Sequence, residues 1–149
     1  MQTDFEMKHE HDSFTEKELS AMHETELFRQ KYILIDKVVV QFSHLSKPVG
    51  EVIKQHHLPT EIAHARVRIF RGDNYKLLPY AVMDYPALDA KEKSFAYRTM
   101  FWWGNFFSFT LYLHGTYLDM YRKNLQQGIG ELQGKDFYFC VNQTPWQYH

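Results

Sequence analysis

The sequence predicts an α+β protein, with N-terminal helices packed on a mainly antiparallel sheet of about five strands and a further helix before the last strand. Three observations carry this reading. Leu27, Leu34, Val38, Phe42 and Leu45 recur at intervals of three, four or seven, which keeps them on one helical face. From Ala65 the period changes to two, with Ala65, Val67 and Ile69 facing one way and Arg66 and Arg68 the other. Short connections then separate the alternating runs, and short connections favour antiparallel neighbours over a βαβ relay.

Each element follows in order. Residues 1–12 read as a flexible leader, and residues 13–149 as a single domain. Ser13-Phe14-Thr15-Glu16 has the capping-box pattern that satisfies free amides at a helix start. The β-branched cluster Ile33, Ile35, Val38, Val39 and Val40 competes as a strand signal over residues 31–42, but the helical spacing extends beyond it on both sides. Ser46 and Pro48 resemble an N-cap and an early helical position, so a separate helix is expected over residues 47–57, ended by His56-His57-Leu58-Pro59. Gly72-Asp73-Asn74 supplies a turn, and Lys76 to Asp84 returns as a strand, in which Pro79 marks an edge or a bulge. Tyr85 to Glu92 reads as a loop or short helical turn. Thr116 to Gln127 suits a helix, Gly128, Gly130 and Gly134 break regular structure, and Asp136 to Asn142 reads as the last strand.

Phe95 to His114 is the most informative stretch. Two alternating apolar runs meet at Gly104-Asn105, and a two-residue Gly-Asn connection can supply the positive φ angles of a tight hairpin. With Trp103 opposite Phe106, the register pairs Trp102 with Phe107, Met100 with Phe109, Arg98 with Leu111 and Ala96 with Leu113. Arg98 then stands alone on an apolar face. A guanidinium stays charged at ordinary pH, so its burial implies an internal carboxylate, with Asp84, Asp36 and Glu24 as candidates, or an anionic ligand. The opposite face carries Phe95, Tyr97, Thr99, Phe101, Trp103, Phe106, Ser108, Thr110, Tyr112 and His114, which suits either a core face or a recognition surface. A one-residue slip exchanges the two sets.

Composition narrows the function classes. Seventeen Lys and Arg against eighteen Asp and Glu leave a formal charge of −1, which disfavours a dedicated nucleic-acid binder despite the local cluster of Arg66, Arg68, Arg71 and Lys76. Phe, Tyr and Trp make up 17% of the chain, enough to fill a core and still line a ligand site. The lone cysteine, Cys140, has no intrachain partner and suits a reducing cytoplasm, where it is expected as a small buried thiol. No stretch is long and apolar enough for a helical membrane span, and the N-terminus lacks the apolar core of a signal peptide. Neither His9-Glu10-His11 nor the set His56, His57 and His64 has specific metal-ligand spacing, so no metal and no cofactor is expected.

The favoured function is non-enzymatic binding of a small amphipathic or anionic ligand in an aromatic pocket. Arg98 would neutralise the anion, and Trp102, Trp103, Phe107 and Tyr112 are candidate walls. Tyr80, Asp84 and His114 are the polar groups that could converge on Arg98, and an enzyme built near Arg98 would need them. No catalytic residue is assigned. The remaining alternative is an interaction or homodimerisation module that uses the aromatic hairpin of residues 95–114.

Overall fold

The computed structural model describes residues 13–140. It divides between Leu34 and Ile35 into two compact units. In the first, α1 (Glu16–Met22) is closed by a capping box that uses Thr15 and Glu18 rather than Ser13 and Glu16: the Glu18 amide donates to Thr15 Oγ1 at 3.3 Å, and the Thr15 amide donates to Glu18 Oε2 at 2.8 Å. The expected leader, residues 1–12, lies outside the described residues, as do His9 and His11.

Helix α2 (Thr25–Gln55) begins in the first unit and runs on through Pro48. The separate helix expected over residues 47–57 is therefore part of one long helix. Proline lacks the amide that would donate to the carbonyl four residues back, that of His44, but both residues are exposed, so water can satisfy the orphaned oxygen. Ser46 does not cap a new helix; its hydroxyl donates back to the Ser43 carbonyl at 2.8 Å.

The second unit continues with a one-turn helix, α3 (Thr60–Ala63), then four strands, β1 (Arg68–Tyr75), β2 (Leu78–Ala90), β3 (Lys93–Trp102) and β4 (Phe106–Gly115), and then α4 (Thr116–Leu132). The strands form one antiparallel sheet in the order β1-β2-β3-β4. The class is α+β, as the sequence indicates, with four strands among the described residues where about five were expected. Residues 136–140 are not a strand, and 141–142 lie outside the described residues. Tyr85 to Ala90, expected as a loop or helical turn, instead extends β2. A register shift between Asp84 and Ala87, containing a cis Tyr85–Pro86 bond, hides the alternation there.

The turns also differ from the residues that advertise them. Gly72-Asp73-Asn74 lies inside β1 at a bulge, and Pro79 sits across from it, so its missing amide falls where the β1–β2 ladder is already interrupted. The chain reverses at Lys76-Leu77, both with positive φ, between the paired residues Tyr75 and Leu78.

In the aromatic hairpin the connection has three residues, Trp103-Gly104-Asn105. Within it only Gly104 adopts positive φ, and the extra residue Trp103 is what lengthens the expected two-residue turn. Trp102 consequently pairs with Phe106, Phe101 with Phe107, Met100 with Ser108, Arg98 with Thr110 and Ala96 with Tyr112. The slip of one residue exchanges the β4 side chains between faces. Phe107, Phe109, Leu111 and Leu113 join Phe95, Tyr97, Thr99 and Phe101, and Arg98 shares its face with Ser108, Thr110, Tyr112 and His114.

Helices cover the face of Phe95 and Phe101. On it Phe42 of α2 packs against Ala81 and Met83, with Val38, Val39, Leu45, Ile69 and Phe101 around them. Further along, Ile62 of α3 and Tyr117 of α4 close on Phe95, with Leu58, Leu88, Leu113 and Tyr121 at the margin. Lys93 Nζ donates to both carboxylate oxygens of Glu61 at 2.8 and 2.6 Å and ties α3 to the start of β3. Burial of a side chain such as Phe42 or Met83 is worth roughly 2–3 kcal/mol.

Two glycines of positive φ separate steric from conformational demands. A Cβ on Gly115, at the β4–α4 junction, would stand 1.8 Å from the Glu92 carbonyl oxygen, whereas one on Gly104 would meet nothing within 4 Å. Gly115→Ala is expected to destabilise the protein by more than about 3 kcal/mol, and Gly104→Ala by only about 1 kcal/mol, the cost of left-handed backbone alone. Urea unfolding of the two variants measures the difference.

Candidate functional site on the open face of the sheet

The uncovered face is organised by a row of charged side chains across three strands. Arg68 of β1 lies opposite Asp84 of β2, and Asp84 lies opposite Arg98 of β3. Cross-strand neighbours on one face approach closely enough to bond directly. Arg98 Nε donates to Asp84 Oδ1 at 2.8 Å and its Nη2 to Asp84 Oδ2 at 3.0 Å, a two-pronged grip that suits the planar guanidinium. Arg68 Nη2 donates to the same Oδ2 at 2.7 Å.

Burial differs sharply along the row. The Asp84 side chain has no exposure and that of Arg98 only 9%, while Arg68 remains 47% exposed. Burial pushes the Asp84 carboxyl up, but hydrogen bonds and charge from Arg98 and Arg68 outweigh it and hold the group below the ordinary aspartate value of 3.8. Asp84 is thus the internal partner that a buried Arg98 requires. Asp36, the other described candidate on this unit, pairs instead with Arg71.

A cavity of about 480 Å³ opens over the Arg68–Arg98 side of this row, lined by Arg68, Phe70, Leu88, Asp89, Ala96, Arg98 and Tyr112. Small-molecule sites commonly fall in this size range. The strand register explains the lining: Ala96 faces Tyr112, so a small residue on β3 leaves room beneath a large one on β4. Phe70 lies under the Arg68 guanidinium, 5.8 Å from ring centroid to Cζ, a cation–π arrangement that holds the arginine at the cavity wall. Asp89 accepts a hydrogen bond from Ser94 at 2.8 Å and puts a negative charge on the same wall.

The residues singled out in the sequence separate into three places. Arg98 and Tyr112 line the cavity, and Asp84 lies beneath it as the partner of Arg98. Trp102 and Tyr80 share the open face but belong to an adjoining aromatic cluster with Val82, Met100, Phe70, Tyr75 and Leu78, where the Trp102 indole donates to the Tyr75 carbonyl at 3.2 Å. This cluster contains no helical residue, so the sheet's own aromatics shield Val82 and Met100. Trp103 lies in the turn against Phe101, Phe107 projects from the helix-side face, and His114 is exposed opposite Ser94. These three are not brought together with Arg98.

Other expectations change as well. Arg68 and Arg71 point to opposite faces and each meets a carboxylate, so they do not form a continuous basic strip. Cys140 is exposed, since the strand expected to bury it is not formed by the described residues. Among the described residues no group of His, Cys, Asp or Glu is placed to hold a metal ion, and no helix is long and apolar enough to cross a membrane. Sequence reasoning missed Phe70, Leu88, Asp89 and Ala96 as cavity residues. Asp89 was hidden by the bulge that precedes it, and Leu88, which packs beside Phe95 on the helix side, reaches only the cavity's margin, while alternation through Arg68 carried the signal for Phe70.

Removing one partner of a buried pair leaves an uncompensated charge, so Arg98→Met is expected to cost about 3–5 kcal/mol, whereas Arg68→Gln, at a half-exposed position, is expected to cost less than about 1 kcal/mol. Because the Asp84 pKa is depressed on folding, its contribution is present above the ordinary aspartate value of 3.8 and is lost as pH falls through the lower folded value. Denaturant unfolding from neutral pH to below pH ~3 measures both effects, and Asp84→Asn should flatten the acid limb. Comparison with protein-family models, curated proteins and solved structures finds no match to this chain.

Proposed function

We propose that the protein binds a small amphipathic monoanion in the open-face cavity, without transforming it. The observation that supports this most is the coincidence of two guanidiniums at one wall, over a buried carboxylate, with Phe70 and Ala96 along the rest. The Arg68–Asp84–Arg98 row carries one net positive charge. Arg98 is committed to Asp84, so its role is to fix the floor, and the half-exposed Arg68 is the group that meets the ligand anion. Asp89 limits the ligand to a single anionic group, because a polyanion would meet its carboxylate. Tyr112 contributes a ring and a hydroxyl at the far wall. The lone cysteine fits a reducing compartment such as the cytoplasm.

A second reading, association through the aromatic hairpin, is favoured by one observation. Phe107, Phe109 and Leu111 of β4 remain largely exposed although they share a face with the helix-covered core.

Dodecanoate and dodecyltrimethylammonium share an apolar tail and differ in head-group charge. Isothermal calorimetry at neutral pH is expected to show saturable binding of dodecanoate, no binding of the cation, and a loss of at least about fivefold in dodecanoate affinity in Arg68→Gln. Equal binding of the two amphiphiles, or dodecanoate binding unchanged in Arg68→Gln, would contradict the proposal.

A further inference from the structure

The two edges of the sheet are unlike. β1 is interrupted by a bulge between Gly72 and Tyr75 and carries Arg68 and Arg71, features that discourage pairing with another strand. β4 has neither device. Its ten residues, Phe106 to Gly115, pair with β3 in unbroken register and include no Lys, Arg, Asp, Glu or Pro. Alternate residues of an edge strand turn their amides and carbonyls away from the sheet, so β4 offers a regular row of backbone donors and acceptors. Beside that row, Phe106, Phe107, Phe109 and Leu111 are 41%, 54%, 61% and 48% exposed.

We infer that β4 pairs antiparallel with β4 of a second copy of this chain about a two-fold axis at Thr110, joining two four-stranded sheets into one of eight. This rests on the reading of the hairpin as an association surface and names its partner and register. A second copy fits for three reasons. An uncharged strand meets no like charge in its own image, so self-pairing costs no electrostatic repulsion. Antiparallel pairing is self-complementary under two-fold symmetry, which makes a closed dimer. The register is set by overlap: an axis at Thr110 pairs nine of the ten residues, with Phe109 against Leu111 of the partner subunit and Phe107 against Leu113 of the partner subunit on the same face, whereas an axis at Phe109 would pair only seven. An axis at Leu111 would set Phe107 against glycine, and an axis between residues would bring opposite faces together.

The size of the contact sets its strength. The exposed parts of the four apolar side chains amount to about 400 Å² per copy, so with the added backbone the interface lies near the lower limit of stable complexes. A reversible dimer in the micromolar range is therefore expected.

Sedimentation equilibrium of the full chain up to about 200 µM measures the association. The expected result is a monomer–dimer equilibrium that Phe109→Lys weakens by at least about tenfold, while Leu77→Lys, at the exposed β1–β2 turn, leaves it unchanged. Oxidation supplies the register: in a Cys140→Ser background, Thr110→Cys should crosslink to itself across the axis, and Tyr112→Cys should not. A chain that stays monomeric overturns both the pairing and the association reading. A dimer that Phe109→Lys leaves intact, or one in which Tyr112→Cys crosslinks in place of Thr110→Cys, overturns the β4 pairing alone.

Discussion

The arrangement of the sheet depends on one buried carboxylate held by two arginines. Asp84 lies on the central strand β2 and reaches Arg68 on one side and Arg98 on the other, so a single side chain ties three of the four strands together. The bond is demanding because each group is costly to bury alone. A one-residue slip of β3 against β2 would carry Arg98 to the helix-covered face, among Phe42, Met83 and Phe101, and leave Asp84 with only the half-exposed Arg68. Hydrophobic pairing on either face would tolerate a change of partner more readily. The charged row therefore contributes specificity of register as well as stability.

That row also explains why one sheet presents two different surfaces. The apolar side chains facing α2, α3 and α4 form two core clusters on one face, with Phe42 as the helical contribution to one and Ile62 and Tyr117 to the other. Among the described residues of the second unit no helical side chain joins the core cluster on the other face, and that aromatic cluster around Met100 closes only one end. At the other end the charges, with small Ala96 beside them, keep the surface from collapsing onto itself, and a cavity results. The cavity is a consequence of how the register is enforced: the groups that hold the strands in place also supply the charge at its wall.

Much of this was legible in the sequence where local pattern and tertiary structure agree. Alternation placed Arg98 inside the sheet, and the cost of burying a guanidinium then required a partner, with Asp84 among the candidates. The helical face through Val38, Phe42 and Leu45 was equally clear, since its period persisted beyond the β-branched cluster. The failures have specific physical origins. Turn chemistry misled twice: Gly72-Asp73-Asn74 forms a bulge, while Lys76 and Leu77, residues without turn preference, take the left-handed conformation because the flanking strands demand it. At Gly104-Asn105 the location was right, but one residue of loop length decided the face of every β4 side chain. Pro48 read as a helix start because a proline is tolerated there, and nothing local reveals that the same residue lies on an exposed side where an interior position costs less. Part of the cavity was hidden for a related reason, since the β2 bulge breaks the alternation that would have aligned Asp89 with Arg98 and Ala96.

The central claim is that Asp84 and Arg98 act as a coupled pair that fixes the register of the sheet. A double-mutant cycle of Asp84→Leu and Arg98→Met, with stability read by denaturant unfolding, isolates their interaction from the separate effects of each substitution. The account predicts that the double variant recovers most of what either single variant loses, with a coupling above about 2 kcal/mol. Losses that simply add, with a coupling below about 0.5 kcal/mol, would contradict it.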